Sequence, residues 1–277
     1  MIENQSINRA IDYILAHINE PIGVDAISAH CNLSKYHFSR LFRAETGESV
    51  YEFVKRVRLE QSAFRLKIEQ DRSITDIGCE YGYSASNYSS AFKQHYDIPP
   101  VDFRRGILEK STVNPIFHNT DIHPETYEQV QSKITIETLP DYHVVYARHK
   151  GSYKDLSTHW AQFLKEYEAY RTDDALLIEC TYDDPVITNE DSCLYDLYMT
   201  VPEGFLPGRT CTLKGGKFAI YHFDGSVHQI YHALQSIFTI WLPQSGHGID
   251  ERYGFDIYRE INCDAMNMKI DICIPIK

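Results

Sequence analysis

The sequence predicts a multidomain fold: an all-α N-terminal domain with a double helix-turn-helix, followed by a duplicated α+β C-terminal domain. Two internal repeats support this prediction, one at an offset of 50 residues within 24–105 and one at an offset of 74 residues beyond residue 133. The length of 277 residues adds a third observation, because it is roughly that of two ordinary domains. We place the domains at 1–110 and 133–277, separated by a linker at 111–132 that contains prolines and asparagines but no apolar periodicity.

The N-terminal repeat pairs residues of the same chemical type, for example Ile27 with Ile77. Each copy has the pattern of a short apolar helix, a tight turn at Asn32 or Gly82, a serine cap and a second helix. This is the helix-turn-helix pattern, in which the second helix enters the major groove of DNA. Two copies in one chain indicate a protein that grips two successive groove segments.

Apolar spacing and capping residues predict each helix of this first domain in order. The expected helices cover 3–18, 25–31, 35–46 after the cap Ser34, 49–70, a segment after the cap Ser73, 87–96, and a last short helix from Pro99-Pro100 to Arg104-Arg105. At 1.5 Å per residue the helix over 49–70 would span roughly 30 Å, close to one turn of DNA at about 34 Å. It could therefore hold the two insertion helices one turn apart on the same face of the duplex.

The runs SKYHFSRLFRAETG, RVRLEQSAFRL, SITDIGCEYGYS and NYSSAFKQHYDIPPVDFRR resemble the DNA-binding domain of AraC/XylS-type transcription regulators over about residues 5–108. In that family the third and sixth helices enter adjacent major-groove segments. The resemblance implies that Tyr36, Ser39 and Arg40 face the bases, with Arg40 able to bind guanine through two hydrogen bonds. It implies phosphate contacts for Lys35 and Arg43. A solvated arginine is the alternative for Arg40.

The second copy departs from the family pattern. The turn before its insertion helix is expected to be one residue short, Ser90 stands where Arg40 stands in the first copy, and Asp97 replaces a glycine of the family. We therefore expect weaker base reading by the second insertion helix. Its residues Ser86, Asn87 and Lys93 are expected to touch mainly the DNA backbone.

The second repeat begins after the linker. HVVYARHKGSYKDL at 143–156 matches KFAIYHFDGSVHQI at 217–230, and LYDLYMTV at 194–201 resembles KIDICIPI at 269–276. Each half has the pattern strand, strand, helix, strand, strand, which predicts an α+β duplicate with a pseudo-two-fold axis. The groove between two such halves is a natural place for a ligand.

The runs GSYKDLSTHW, YDDPVI, YDLYMTVP, GGKFAIYHFDGS and IWLPQSGHGIDERYGFDIYRE resemble the gyrase-inhibitor-like domain, a duplicated effector-binding domain, over roughly 133–277. Together the two domains resemble the Rob-like arrangement of AraC-type regulators. Relatives of this domain bind lipophilic, often cationic, molecules in an aromatic cleft, where a glutamate of the penultimate strand faces the ligand. That position is Asp256 here, and aspartate is one methylene shorter.

The residues themselves are suited to such a cleft. On a strand Asp256 and Tyr258 share one face, and Asp196 repeats this spacing with Tyr198 in the sister half. A carboxylate among aromatic rings attracts an aromatic cation through charge and cation–π interactions. The further candidate ligand-binding residues are Tyr146, Tyr153, Trp160, Tyr195 and Trp241. The alternatives left open are core packing for each aromatic ring, a surface or ion-paired position for Asp256, and a structural role for Asp196.

Charge and composition restrict the function further. Residues 1–110 carry 14 Lys+Arg against 15 Asp+Glu, while the remainder carries 13 against 24, so non-specific affinity for DNA should be modest. No apolar run approaches the ~20 residues of a membrane span. Seven scattered cysteines indicate reduced thiols and a cytoplasmic protein. His228 and His232 have the spacing of a metal pair but no supporting ligands, so no metal or other cofactor is expected.

These observations predict a transcription regulator, not an enzyme, that binds double-stranded DNA and a small lipophilic or cationic effector. RNA polymerase is a further candidate partner of an activator, and no membrane partner is expected. Two other functions remain open for the C-terminal domain. It could hydrolyse lipophilic electrophiles with Asp256 as base and Tyr258 or Tyr146 as donor, or it could serve only as a protein-interaction module.

Overall fold

The computed structural model describes residues 1–112, 125–205, 207–262 and 267–277, and the predicted linker therefore lies largely outside the described residues. The chain divides into two compact units. The first comprises residues 1–111 together with 183–193, and the second comprises 112–182 with 194–277. Within the described ranges, no helix is both long and apolar enough to cross a membrane. The predicted multidomain fold, helical first and α+β second, is confirmed.

The first unit is built from seven helices within the described residues. They are α1 (Gln5–Ala16), α2 (Val24–His30), α3 (Lys35–Thr46), α4 (Val50–Ile68), α5 (Ile74–Glu80), α6 (Ala85–Tyr96) and α7 (Pro100–Thr112). The side chains of Ser34, Ser49 and Ser73 accept hydrogen bonds from the first turns of α3, α4 and α5. Ser49 forms a reciprocal capping box with Glu52, which satisfies two backbone donors at once. The predicted starts of these helices follow from this local chemistry.

Aromatic pairs fix each insertion helix to the helix that follows it. Phe42 of α3 packs edge-to-face on Phe53 of α4, with ring centroids 5.3 Å apart. Phe92 of α6 packs in the same way on Phe103 of α7, at 5.1 Å. All four rings are buried. The 50-residue repeat therefore extends past the helix-turn-helix into the supporting helices, as aromatic packing of this kind stabilises both copies alike.

A segment from the second half of the sequence completes the first unit. Residues 183–193 lie in this unit, where Asp184 pairs with Lys67 of α4 and Ile187 is buried. This placement is not visible in the sequence, because the segment follows a strand of the C-terminal repeat. The first unit is therefore discontinuous in sequence.

Within the described residues, the second unit is an eight-stranded antiparallel sheet with helices. The strands are β1 (Ile134–Leu139), β2 (Tyr142–Lys150), β3 (Leu177–Thr181), β4 (Leu194–Thr200), β5 (Thr210–Leu213), β6 (Gly216–Ser226), β7 (Phe255–Asn262) and β8 (Asn267–Pro275). Their order in the sheet is β1-β6-β8-β7-β3-β4-β2-β5. The pairing of β3 with β7 joins the two halves at the middle of the sheet. The 74-residue repeat predicts the duplication, but not the exchange of first strands by which β1 pairs with β6 and β5 pairs with β2.

Two helical layers cover different halves of one face of the sheet. Helix α9 (Leu156–Tyr167) packs on β2, β3 and β4 through Phe163 and Tyr167. Helix α10 (Ile230–Gln235) continues through a π-helical segment (Ser236–Trp241) into α11 (Leu242–Ser245) and packs on β6 and β8. Short 3-10 turns lie at Tyr153–Asp155, Glu168–Tyr170 and Val227–Gln229, and a fourth, Glu190–Ser192, lies in the first unit. The middle strands β7 and β3 lie where the two layers meet.

One predicted boundary differs in the structure. Helix α8 (Tyr127–Gln131) forms inside the stretch that the sequence assigns to the linker. Thr126 and Gln129 form a capping box at its start, and Val130 is fully buried in the core of the second unit. A helix of five residues is too short to show periodicity, which explains why the sequence did not reveal it.

Candidate DNA interface and ligand groove

The first helix-turn-helix consists of α2, a four-residue turn and α3. The turn is closed by Asn32, whose φ of 56° lies in the left-handed region that asparagine tolerates. Ser34 then accepts a hydrogen bond from the backbone N–H of His37, which starts α3. The apolar side of α3 is buried through Phe38 and Phe42. Its other side is left open to solvent.

The residues predicted to contact DNA lie on this open side of α3. Tyr36 is 80% exposed, an unusual position for a large aromatic ring that no core requires. Lys35, Arg40 and Arg43 are exposed and Ser39 is half-buried. Lys35 forms an exposed ion pair with Asp25 of α2 at 2.9 Å, a contact of little strength in water. Arg40 has no ion pair within the described ranges, so its guanidinium is available to a ligand. The base-reading roles of these side chains stay predictions.

The second helix-turn-helix has a turn of the same length as the first, so the predicted one-residue shortening is wrong. Four residues, 81–84, separate α5 from α6, as 31–34 separate α2 from α3. Gly82, with φ of 81°, takes the place of Asn32. The helix also begins two residues earlier than predicted, at Ala85. The difference between the two copies is therefore one of side-chain chemistry and not of backbone geometry.

The exposed side of α6 carries smaller and less basic residues than that of α3. Ser86, Asn87 and Lys93 are exposed, and so is Ser90 at the position of Arg40. The hydroxyl of Ser86 lies 3.2 Å from that of Ser84. A surface with one lysine and short polar groups is suited to backbone contacts more than to guanine recognition.

In the second unit, the middle strands β3 and β7 bring two acids together. Glu179 lies directly opposite Asp256 in the antiparallel register, and Leu177 lies opposite Tyr258. All four side chains belong to the sheet face on which α9 packs, because Leu177 and Tyr258 contact the same core cluster as α9. We name the region formed by Glu179, Asp256, Tyr258 and Trp160 the acid groove.

Glu179 is held by two donors of the acid groove. Its Oε2 accepts hydrogen bonds from the Tyr258 hydroxyl at 2.7 Å and from the Trp160 indole Nε1 at 3.1 Å. The rings of Trp160 and Tyr258 meet edge-to-face, with centroids 5.3 Å apart. Glu179 is only 5% exposed, and this burial raises the pKa of its carboxyl group, although the two hydrogen bonds oppose the shift. Glu179 is a residue that the sequence reasoning missed.

Asp256 is half-buried beside Glu179. Burial raises the pKa of Asp256 well above its usual value, and the nearby charge of Glu179 raises it further. No lysine, arginine or histidine of the described ranges forms an ion pair with either acid. Two carboxyl groups thus share a largely dry site without a protein cation, an arrangement that is unfavourable unless a proton or a bound cation compensates it.

Asp196 does not lie in the acid groove, and its ligand-binding role stays a prediction. It is fully buried and accepts two hydrogen bonds from Arg148, at 2.8 Å from Nε and 2.6 Å from Nη2. The hydroxyls of Tyr182 and Tyr198 donate to the same carboxylate. The structure therefore favours the alternative that Asp196 is structural. Its charge is satisfied by a bidentate partner and two further donors.

The aromatic residues predicted to bind the ligand do not all lie in one site. Tyr146 packs in the core cluster of Ile178 and Phe255, on the opposite face of the sheet, so it lies apart from the acid groove and its ligand-binding role stays a prediction. Trp241 is 1% exposed and donates to Gln131 at 2.8 Å, which assigns it to the core. Tyr195 is fully buried, and Tyr153 stacks on it at 5.1 Å. Of the predicted ligand residues, the structure joins Asp256, Tyr258 and Trp160 in one site.

Within the described ranges, no group of three or more potential metal-ligating side chains is present. Two helix-turn-helix units with open insertion helices, and a separate duplicated sheet with an acid groove, define a class of protein. That class is the DNA-binding transcription regulator with its own small-molecule binding domain.

Comparisons with known proteins agree with this class. Residues 132–277 match the family model of the GyrI-like small molecule binding domain, and residues 27–106 match that of a helix-turn-helix domain. The regulatory protein SoxS of Salmonella typhimurium is 31% identical over 105 residues, which cover 38% of this chain and 97% of SoxS. The multiple antibiotic resistance protein MarA of Escherichia coli is 27% identical over 116 residues, covering 41% of this chain and 91% of MarA.

Among solved structures, an AraC-type regulator from Chromobacterium violaceum is similar, with a TM-score of 0.35 and 26% identity over 36% of this chain and 90% of that one. The chain belongs to the GyrI-like family of small-molecule binding proteins, and its N-terminal part is an AraC-type helix-turn-helix domain.

Proposed function

We propose that the chain is a transcription regulator whose second domain binds a lipophilic cation in the acid groove, and that this binding changes its affinity for DNA. The observation that carries the proposal is the pair Glu179 and Asp256, two acids in a largely buried site that form no ion pair with a described lysine, arginine or histidine. A bound cation would compensate their charge, and the rings of Trp160 and Tyr258 would cover its apolar body.

On DNA, we propose that the two insertion helices have unequal roles. Helix α3 presents Tyr36, Ser39 and Arg40 and would read bases, while Lys35 and Arg43 would hold phosphates. Helix α6 presents Ser86, Asn87 and Lys93 and would mainly anchor the protein to the backbone. As an activator, the protein would also contact RNA polymerase once bound to DNA.

The described cysteines are all free thiols, which supports a location in the reducing cytoplasm.

The experiment is a titration of the full chain with 2-naphthylmethylammonium, an aromatic cation, and with the neutral 2-naphthylmethanol. Binding is followed through the fluorescence of Trp160, one of only two tryptophans in the chain. The cation should bind more tightly than the alcohol, and Glu179→Gln or Asp256→Asn should weaken the cation alone. Asp141→Asn is the matched control, because Asp141 pairs with Lys214 at an exposed position.

A gel-shift measurement with and without the cation then tests the link to DNA. A shift of DNA affinity in the wild type, and a smaller one in Glu179→Gln, is the expected result. If the cation and the alcohol bound equally tightly, the acid groove would not be a cation-binding site. Cation binding with no change of DNA affinity would leave a ligand-binding domain without the proposed regulation, and turnover of an added lipophilic electrophile would favour the hydrolase alternative instead.

A further inference from the structure

We propose that the acid groove selects cations that carry N–H donors, such as protonated amines and amidinium groups on an apolar body, over permanent cations that carry none. This inference rests on the proposed function and adds the chemistry of the charged group that the site accepts. It follows from which oxygen atoms of the two acids are already used within the protein and which remain open.

The hydrogen bonds of the protein to this pair converge on one atom. Oε2 of Glu179 accepts both from the Tyr258 hydroxyl and from the Trp160 indole N–H. No described residue donates a hydrogen bond to Oε1 of Glu179 or to either oxygen of Asp256. Tyr258 and Trp160 are thus positioning residues, since they hold one carboxylate in place by one oxygen and leave the other oxygens of the pair without a donor from the described residues.

The register places the two acids close together. Glu179 and Asp256 are direct partners on neighbouring antiparallel strands, so their Cβ atoms are about 4.5–5.5 Å apart. An ammonium has three N–H donors and an amidinium has two pairs, enough to reach both carboxyl groups at once. One donor cation can therefore satisfy acceptors on both strands.

A quaternary ammonium would neutralise the charge but leave these acceptors unsatisfied. It would also keep water away from them, because its alkyl groups fill the space nearest the carboxylates. A site built to hydrogen-bond its ligand rejects an analogue that lacks the donor, since buried polar groups then stay unpaired. We expect a loss of about ten- to a hundredfold in affinity, the equivalent of one unsatisfied buried group.

The aromatic residues of the groove argue for the same order of preference. Cages that select quaternary ammonium groups use several aromatic faces around the charge. Here Trp160 and Tyr258 form an edge-to-face pair, and each donates its polar side-chain hydrogen to Glu179. The charge of the ligand therefore meets carboxylate oxygens first, and the rings pack on the apolar body.

The test compares 2-naphthylmethylammonium with 2-naphthylmethyl-trimethylammonium by calorimetry on the full chain. Both probes carry one positive charge on the same aromatic body, and they differ in the presence of N–H donors. The wild type should prefer the ammonium by about ten- to a hundredfold. Asp256→Asn and Glu179→Gln should reduce this ratio, and Asp141→Asn should keep it. The wild-type comparison needs no substitution, so a variant that fails to fold does not affect the result.

The outcomes separate the inference from the proposed function. If both cations bind equally and Glu179→Gln weakens both, the cation site stands and the donor selectivity is overturned. A preference for the trimethylated probe would also overturn it, in favour of an aromatic cage. If neither probe binds, the proposed function itself fails.

Discussion

Lys67 and Asp184 lie 117 positions apart in the chain, yet their side chains form an ion pair with Nζ 2.7 Å from Oδ2. The lysine is 3% exposed and the aspartate 9% exposed. Lys67 lies in the last turn of α4, where a cation also faces the negative end of the helix dipole. The other oxygen of Asp184 accepts from the backbone N–H of Val186 at 2.9 Å. This pair therefore fixes the segment 183–193 to the first unit.

Removing one partner of this pair should destabilise the first unit strongly. Asp184→Asn removes one charge of this buried pair, and breaking a buried ion pair costs about 3–5 kcal/mol. The double variant with Lys67→Met removes both charges and should recover most of that loss. Urea unfolding followed by far-UV circular dichroism measures the effect, while the fluorescence of Trp160 and Trp241 reports the second unit separately, because both tryptophans belong to it.

Asp141→Asn supplies the control for this experiment. It breaks an ion pair of the same length, 2.7 Å to Lys214, but the two side chains are 51% and 69% exposed. An exposed pair contributes at most about 1 kcal/mol. If Asp184→Asn cost no more than Asp141→Asn, the pair with Lys67 would have no special role in holding the segment.

Arg40→Ala should reduce binding to a specific DNA site by about 1–3 kcal/mol and relax the base preference at one position. Lys93→Ala should instead weaken binding uniformly across sequences and lower the slope of log affinity against log salt concentration by about 1.

Ser90→Arg should strengthen specific binding, because it places on α6 the guanidinium that α3 has at the equivalent position. Lys165→Ala, an exposed lysine of the second unit, is the control.

These DNA variants are compared by footprinting and by gel shift at two salt concentrations. A uniform loss in Arg40→Ala across all DNA sequences would show that Arg40 binds phosphate. Unchanged binding in that variant would place its side chain in solvent, which is the alternative for this residue.

The stability of the first unit should fall as the pH rises from about 4.5 to 7. Burial raises the pKa of Glu60 to about 7, although the charge of Arg56 opposes the shift and Asp183 adds to it. In this pH range the folded state keeps a proton that the unfolded chain releases near 4.5, so folding is favoured at the acid end. The slope is at most about 1.4 kcal/mol per pH unit.

Glu60→Gln should remove this slope, because the amide does not titrate. Urea unfolding of the helical signal at several pH values between 4.5 and 7 measures it. Glu166→Gln, an exposed acid of the second unit, is the matched control and should leave the slope in place. A slope that persists in Glu60→Gln would assign the pH dependence to another group.

Local chemistry explains why so much of the helical domain could be predicted. Serine caps, glycine stops and apolar stripes act within one or two turns, and they are visible in any single sequence. The length of the second turn cannot be predicted in this way, because it depends on where α6 begins, and Ser84 starts that helix without a side-chain cap. Close packing was also invisible: a Cβ on Gly78 would lie 2.4 Å from the Tyr88 ring, so only glycine fits there.

The acid groove shows that the alternation of side chains along a strand does not predict which acids share a site. Asp196 and Asp256 have the same spacing to a tyrosine, and the sequence places them in equivalent positions. In the sheet, however, β3 lies between their strands, with Asp196 opposite Cys180 and Asp256 opposite Glu179. Neighbouring residues of one strand point to opposite faces, so the two aspartates cannot share a site. Only the register between distant strands decides this, and the same register brings in Glu179.

Asp97→Gly should stabilise the first unit by about 1 kcal/mol. Asp97 ends α6 with φ of 61° and ψ of 0°, in the left-handed region, and Gly47 ends α3 with nearly the same angles, 79° and −7°. A residue with a Cβ is strained there, whereas glycine is not. The reciprocal change Gly47→Asp should destabilise by a similar amount. Urea unfolding followed by circular dichroism measures both, and a loss of stability in Asp97→Gly would mean that the aspartate side chain contributes more than its backbone strain costs.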